Sequence, residues 1–261
     1  MNIFDLDKAL VDRYAAFARS FSTIKAPDIT EQVNAIYDLG KFWPDPLITI
    51  NPHFEQGSSM DQLADDGVVD PALSQIFAFG QKRAPLTLHR HQERAVAKAR
   101  NQESFVVTTG TGSGKSLCFF VPIVDAIVRA RRAGEPRRTR AIIIYPMNAL
   151  AYSQLGEIKK YIDDSGIDEN LRPTVARYTG QENDAERREI AERKPDILLT
   201  NFMMLELLMT RQDDLDQAVI GNAQGLEFLV LDELHTYRGR QGADVAMLVR
   251  RVKERLSADK N

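Results

Sequence analysis

The sequence has little of what defines several protein classes. A single cysteine, Cys118, among 261 residues excludes an intrachain disulfide framework and a cysteine-rich metal site, and is typical of a reducing compartment. The longest apolar run, residues 117–128, contains Pro122 and Asp125 and is shorter than the roughly 20 apolar residues that span a bilayer. The first residues are acidic where a signal peptide is basic. We therefore expect a cytoplasmic protein with no membrane partner.

An excess of charge of one sign is also missing. The 34 Lys+Arg and 37 Asp+Glu leave a formal net charge of −3. Residues 1–84 are more acidic and residues 85–261 slightly basic, so neither part has the strongly basic surface that binds nucleic acid by bulk electrostatics. The composition, 43% hydrophobic and 27% charged, is that of an ordinary globular protein. Any contact with a phosphate backbone is expected to be local.

The hydrophobic pattern divides the chain near residue 85. Residues 1–84 are predicted to form a helical accessory region packed on the main domain. Apolar residues at three- and four-residue steps from Leu6 to Phe21 indicate one helix. A second helix is predicted to begin at Asp28, with Glu31 as its capping-box partner. This region has no chemical signature.

From residue 85 to residue 261, short β-rich runs alternate with helical stretches. This alternation predicts an α/β fold, a mainly parallel sheet covered by helices on both faces, whose ligand binds at the carboxyl ends of the strands. The predicted strands are Ser104–Thr108, Ala141–Tyr145, Thr174–Tyr178, Asp196–Thr200 and Leu226–Leu231. The predicted helices lie at 88–101, 115–132, 148–163, 182–193, 202–211 and 240–257.

A glycine-rich run follows the first predicted strand and begins a helix. It reads Thr109-Gly110-Thr111-Gly112-Ser113-Gly114-Lys115-Ser116. Glycines let the backbone curl around a phosphate, whose charge the N–H groups and the helix dipole bind. Lys115 can reach the β- and γ-phosphates of a nucleotide, and the Ser116 hydroxyl suits Mg²⁺. Thr109 stands where the general P-loop pattern has glycine, and a glycine-rich turn without function is the alternative.

Two adjacent carboxylates end the last predicted strand, in the run Leu229-Val230-Leu231-Asp232-Glu233-Leu234-His235. Asp232 is placed to hold Mg²⁺, usually through water. Glu233 is placed to orient and deprotonate an attacking water. The alternative, a solvated turn, is less favoured because a P-loop pattern precedes these residues in the same chain.

These runs together resemble motifs of the superfamily 2 helicases. Thr109–Ser116 is similar to their motif I, which tolerates a residue other than glycine at its first position. Asp232–His235 is similar to their DExH-box motif II. Gln92 stands where related helicases keep a glutamine that reads adenine. The resemblance implies a first RecA-like lobe over residues 85–261 that binds ATP and Mg²⁺. The residues it implies for catalysis are Lys115, Glu233 and His235, and those for Mg²⁺ are Ser116 and Asp232.

Three further segments resemble nucleic-acid motifs of the same lobe. Tyr145–Ala151 resembles motif Ia, and Thr179-Gly180 and Thr200-Asn201 resemble later motifs. Such motifs hold the nucleic-acid backbone through N–H groups, hydroxyls and helix N-termini. The Thr200-Asn201 pair could equally be a helix cap. The residues implied for nucleic-acid binding are Pro146, Asn148, Thr179, Gly180, Thr200 and Asn201.

The end of motif II, in residues 235–239, is similar to the MrfA-like and RecQ-like DNA helicases, and relatives with such motifs occur in anti-phage defence systems. The family's motif III and second RecA-like lobe would follow Asn261. The resemblance therefore implies the ATP-binding part of a helicase or translocase that acts on single-stranded or partly duplex DNA, with RNA possible, and needs a second lobe or partner protein. One alternative is a non-catalytic, nucleotide-gated adaptor or interaction subunit. Another is a P-loop NTPase unrelated to nucleic acid.

Six arginines between residues 129 and 140 suggest a basic patch. They precede the predicted strand Ala141–Tyr145, so they are expected at the sheet edge opposite the nucleotide. A solvated loop is favoured over a nucleic-acid contact.

Overall fold

The chain forms two compact units, Met1–His53 and Phe54–Asn261. The structure, a computed structural model, describes residues 2–21, 23–39, 54–80, 83–110 and 112–257. None of the helices in these ranges combines the length and apolar character that a membrane crossing requires.

The first unit contains two helices, α1 (Ile3–Ser20) and α2 (Pro27–Asp38). The helix predicted from the apolar stripe is confirmed as α1. The predicted N-cap of the second helix, Asp28, is wrong, because Pro27 occupies the first helical position and Ala26 is the N-cap. Proline suits that position, since the N–H group it lacks would have no partner within the helix.

The second unit holds the remaining elements. Its helices are α3 (Met60–Asp65), α4 (Ala72–Ile76), α5 (Arg90–Arg100), α6 (Lys115–Arg132), α7 (Asn148–Asp163), α8 (Asp184–Arg193), α9 (Phe202–Thr210), α10 (Asp214–Gly221) and α11 (Gly239–Leu256). Its strands are β1 (Gln56–Ser59), β2 (Ala78–Phe79), β3 (Ala84–Pro85), β4 (Thr87–His89), β5 (Ala141–Tyr145), β6 (Val175–Arg177), β7 (Ile197–Asn201) and β8 (Phe228–Leu231). The predicted helices after residue 85 are confirmed, and α10 was not predicted.

Four parallel strands form the central sheet in the order β6–β7–β5–β8. Along β5, Ile143 and Tyr145 pack into the core shared with α6 and α7, while Ile142 and Ile144 pack into the core shared with α9 and α11. Because side chains alternate between the two faces of a strand, helices cover both faces as predicted. Residues 54–84 contribute to the α6 core, and the predicted boundary at residue 84 stays a prediction.

The predicted strand Ser104–Thr108 is wrong. These residues form no strand within the described ranges, and Val106 is 71% exposed. The run has the composition of a strand, but a strand also needs a neighbour for its N–H and C=O groups. None of the described strands pairs with it. Strand β8 pairs with β5 alone, and its residues are half-buried.

Part of the arginine cluster at residues 129–140 is built into the fold. Arg131 Nη2 donates to both carboxylate oxygens of Asp196, at 2.8 and 2.6 Å, and the two side chains are 8% and 1% exposed. Arg140 is also buried and pairs with two glutamates. The expected solvated loop is therefore wrong for these two arginines, because acidic side chains compensate their buried charges.

We predict that Asp196→Ala destabilises the protein by about 3–5 kcal/mol, because it leaves the Arg131 guanidinium buried without its partner. The measurement is urea denaturation followed by circular dichroism. The matched control is Glu189→Ala, which removes the partner of the exposed Arg193 and should cost no more than about 1 kcal/mol. Equal losses for the two variants would contradict a structural role for the buried pair.

Candidate nucleotide and nucleic-acid site

The glycine-rich run lies at the start of α6 and turns tightly. Gly112 and Gly114 have left-handed φ angles of 79° and 69°, which side chains rarely tolerate. At Gly114, a Cβ atom would also stand 2.6 Å from Gln92 Nε2. Lys115 Nζ donates to the Thr109 carbonyl at 3.1 Å, across the loop. The run thus has the curled backbone that a phosphate-binding loop needs, and we refer to residues 109–116 as the phosphate loop.

A hydroxyl pair explains how threonine fits at the first position of this loop. Thr109 Oγ1 and Ser113 Oγ lie 2.5 Å apart and share a hydrogen bond across the turn. Ser113 is buried, Gly110 is exposed, and Ser116 is half-buried in the first turn of α6. Thr111 lies outside the described residues. Threonine at position 109 therefore adds a contact to the loop and does not obstruct it.

Gln92 lies against the backbone of this loop and is 2% exposed. Its Nε2 donates to the carbonyls of Gly114 and Ser113, at 2.9 and 3.3 Å, and its Oε1 accepts from the His89 N–H at 2.8 Å. The side chain therefore ties the start of α5 to the phosphate loop. Its predicted contact with adenine stays a prediction.

Asp232 and Glu233 follow β8 at the carboxyl edge of the sheet. The Asp232 N–H donates to the Ile144 carbonyl, which fixes Asp232 beside the end of β5. Burial raises the pKa of Asp232 and the Glu233 charge adds to the rise, while the Glu233 N–H and the Lys115 ammonium oppose it. The effect of the Lys115 charge on this pKa indicates that the glycine-rich run faces the same edge of the sheet.

Glu233 and His235 form an exposed pair beside Asp232. His235 Nδ1 lies 3.2 Å from Glu233 Oε2, and the side chains are 68% and 40% exposed. Glu233 also has a left-handed φ of 49°, a conformation that costs free energy for any residue except glycine. Such strain persists only where neighbouring structure imposes it, and it is frequent at functional sites.

The side chains at this edge suit a magnesium–nucleotide complex. Ser116 and Asp232 offer the oxygen ligands that Mg²⁺ prefers. The buried hydroxyl of Tyr145, the β5 residue beside Asp232, has no hydrogen-bond partner among the described residues, nor does the buried hydroxyl of Tyr237. Polar groups held at Asp232 would satisfy such hydroxyls, so the residues present fit the implied cofactors.

Asn201 connects three of the segments predicted to contact nucleic acid. Its Nδ2 donates to Asn148 Oδ1 at 2.6 Å and to the Thr179 carbonyl at 3.2 Å. Its Oδ1 accepts the Met204 N–H at 2.7 Å and so caps α9. The helix-cap interpretation of Asn201 is therefore correct, and the same amide brings the three segments together.

Exposure divides the six predicted nucleic-acid residues. Thr200 is 0% exposed and its Oγ1 donates to the Tyr178 carbonyl at 2.7 Å. This enclosed side chain ties β7 to the segment after β6 and offers no surface of its own, and the predicted contact of Thr200 with nucleic acid stays a prediction. Thr179 is 6% exposed. The accessible members of the set are Pro146, Asn148, Gly180 and Asn201.

Sequence reasoning missed Glu182, which shapes the Thr179-Gly180 loop. Its Oε2 accepts the N–H groups of Thr179, Gly180 and Gln181 at 2.7, 2.9 and 3.2 Å. Burial acts to raise the pKa of this carboxyl, but the N–H groups and Arg177 outweigh burial and lower it. The only local signal was an acidic residue soon after the Thr-Gly pair.

Comparison with known proteins identifies this arrangement. The DEAD/DEAH box helicase family matches residues 89–260. The chain belongs to the DEAD/DEAH box helicase family. The predicted resemblance to helicases is therefore confirmed, and ATP binding is what membership of this family implies.

Individual relatives are similar to most of the chain. The ATP-dependent helicase YprA of Bacillus subtilis is 33% identical over 172 residues, which cover 66% of this chain and 21% of YprA. The Druantia protein DruE of Escherichia coli is 24% identical, in a match that covers 81% of this chain and 17% of DruE. The chain thus spans about a fifth of the length of these curated relatives.

Solved structures show the same fold. The helicase MrfA bound to DNA and AMPPNP has a TM-score of 0.62 and 27% identity, and the match covers 85% of this chain and 28% of the MrfA chain. The DEAD-box helicase Mss116 bound to single-stranded RNA and UDP-BeF has a TM-score of 0.63 at 18% identity. The four-stranded parallel sheet with its helices is therefore a RecA-like helicase fold, as predicted.

We predict that Lys115→Ala weakens the binding of ATP at least about tenfold, or about 1.4 kcal/mol, because it removes the cation from the phosphate loop. The fold should survive, since the lysine is half-buried and, among the described residues, its hydrogen bond is to the Thr109 carbonyl. Isothermal titration calorimetry measures the effect. Lys160→Ala, which removes an exposed lysine near the end of α7, is the control. Unchanged affinity for Lys115→Ala would contradict the phosphate-loop assignment.

Proposed function

We propose that this chain is the ATP-binding lobe of an ATP-dependent helicase or translocase that acts on single-stranded or partly duplex DNA. One observation carries the proposal. The edge of the sheet where the Asp232 N–H bonds to the end of β5, and where Asp232 lies near enough to Lys115 to feel its charge, also holds Asn201. Asn201 in turn links Asn148 to Thr179. A nucleotide site and a nucleic-acid surface on one sheet edge would be joined by packed secondary-structure elements that can couple them.

Each side chain has a role that its position supports. Lys115 and the N–H groups at the start of α6 would bind the phosphates, and Ser116 and Asp232 would hold Mg²⁺, which would supply positive charge against the phosphates. Glu233 is open to solvent and accepts a proton from the attacking water. His235 lies within 3.2 Å of Glu233 and orients its carboxylate.

A preference for DNA has support from one relative. MrfA, with DNA bound, is 27% identical to this chain, whereas Mss116, with RNA bound, is 18% identical and supports the fold alone. The net charge of −3 favours local contacts through N–H groups and side-chain amides over bulk attraction. RNA remains the competing substrate. The cytoplasmic location stays a prediction.

Full activity is proposed to need a second RecA-like lobe. The chain spans 21% of YprA, so most of such a relative lies outside the matched part. An arginine that stabilises transition-state charge is worth roughly 10³–10⁵ in rate in other phosphoryl-transfer enzymes, and the second lobe would supply it. A non-catalytic adaptor is the alternative, and it would bind nucleotide without hydrolysing it even with that lobe.

The first test is a steady-state ATPase assay on the 261-residue chain, with and without single-stranded DNA. We expect hydrolysis barely above background from the chain alone. Addition of a second RecA-like lobe from a relative should raise it to ordinary enzyme rates, on the order of 1 s⁻¹. DNA-stimulated turnover at that rate by the chain alone would contradict the need for a second lobe. Binding without hydrolysis in both cases would favour the adaptor.

A second test separates the two carboxylates. We expect Glu233→Gln to retain Mg-ATP affinity and to lose hydrolysis in the lobe-complemented enzyme, because a general base acts in the chemical step alone. Asp232→Asn is the matched comparison and should lose Mg²⁺-dependent nucleotide affinity instead. Calorimetry and the ATPase assay measure the two effects. Parental turnover by Glu233→Gln would show that Glu233 is not the base.

A further inference from the structure

An exposed aromatic ring lies beside the predicted nucleic-acid residues. Tyr152 is 67% exposed and lies on α7 four residues after Asn148, so the two share one face of the helix. Asn148 is the residue that the Asn201 amide holds. The buried residues of α7 include Ala151 and Ile158, on another face. The core therefore does not account for the position of the Tyr152 ring.

A cation lies against this ring and is itself held in place. The Arg177 guanidinium carbon lies over the Tyr152 ring, 5.3 Å from its centroid. Arg177 Nε donates to Glu182 Oε1 at 2.9 Å, and the Glu182 side chain is 5% exposed. The other Glu182 oxygen holds the N–H groups of the Thr179-Gly180 loop. One buried carboxylate thus fixes both the loop and the cation that orients the ring.

Apolar side chains extend this surface. Met147 precedes α7 and is 60% exposed, and Met203 lies in the first turn of α9 and is 65% exposed. Both belong to segments that the Asn148–Asn201 hydrogen bond joins. The Tyr152 ring and the two methionines therefore lie next to side-chain amides that suit a sugar–phosphate backbone.

We propose that the Tyr152 ring is a stacking surface for a base of single-stranded nucleic acid whose backbone runs along Asn148, Asn201 and Gly180. The inference rests on the proposed function and adds a contact with a base to contacts with the backbone. Arg177 keeps the ring in place and adds positive charge beside the bound nucleic acid. Stacking of this kind tolerates any base, since every base has a π-face.

The test compares two fluorescent oligonucleotides of equal length in low salt, one of thymidine and one of abasic sites. The two carry the same phosphates and differ in their bases. Fluorescence anisotropy gives the dissociation constants for the parent and for Tyr152→Ala. We expect Tyr152→Ala to bind the thymidine strand about tenfold more weakly and the abasic strand as the parent does. Tyr152→Phe, which keeps the ring, should restore the parental affinity.

The matched control is Phe79→Ala. Phe79 is an aromatic residue that is 46% exposed and packs on Tyr161 near the opposite end of α7, with ring centroids 5.2 Å apart. It should leave both affinities unchanged. If Tyr152→Ala weakens both strands equally, or neither, the stacking proposal is overturned while the proposed function stands. If the parent binds neither strand, the proposed function fails with it. ATP affinity of Tyr152→Ala equal to the parent's verifies its fold.

Discussion

Strand β5 is hydrogen-bonded on both sides, and its register with β7 and β8 sets the positions of Asn201 and Asp232 at the carboxyl edge. Tyr145 stands opposite Asn201 in one ladder, and Ile144 stands opposite Leu231 in the other. Asp232 therefore emerges beside Tyr145, near the phosphate loop. Because side chains alternate in a strand, a slip of one residue would turn the carboxylate to the other face of the sheet. The backbone register thus places the proposed nucleotide and nucleic-acid groups together.

Beyond the strand ends, hydrogen bonds from side chains hold the loops in place, as backbone hydrogen bonds hold the sheet. Asn201 holds Asn148 and Thr179, and Glu182 gathers three consecutive N–H groups. Both side chains bond to several groups at once, so removing either would free more than one segment. Charge is also compensated inside the fold, since the buried Arg131 guanidinium pairs with the Asp196 carboxylate. With a net charge of −3, the proposed contacts with nucleic acid depend on local geometry and not on bulk attraction.

Much of the second unit could be predicted from the sequence. The strand Ala141–Tyr145 and the helices that begin at Lys115 and Asn148 have the predicted bounds. These elements are strongly apolar or periodic, and neighbours within four residues dominate their conformation. The phosphate loop and the Asp232-Glu233 pair could also be picked out from the sequence, because binding a phosphate and a metal calls for these residue types in this spacing.

Other features depended on residues far apart in sequence, and only the tertiary structure decided them. The run Ser104–Thr108 has strand-forming residues but no partner strand in the described part of the chain. Thr200 and Asn201 are adjacent, yet one is enclosed and the other bridges two segments. Glu182 and Tyr152 belong to no sequence motif. Arg177 of β6 links them, because it donates to the Glu182 carboxylate and lies over the Tyr152 ring. Local sequence determines conformation, but burial and pairing are properties of the assembled chain.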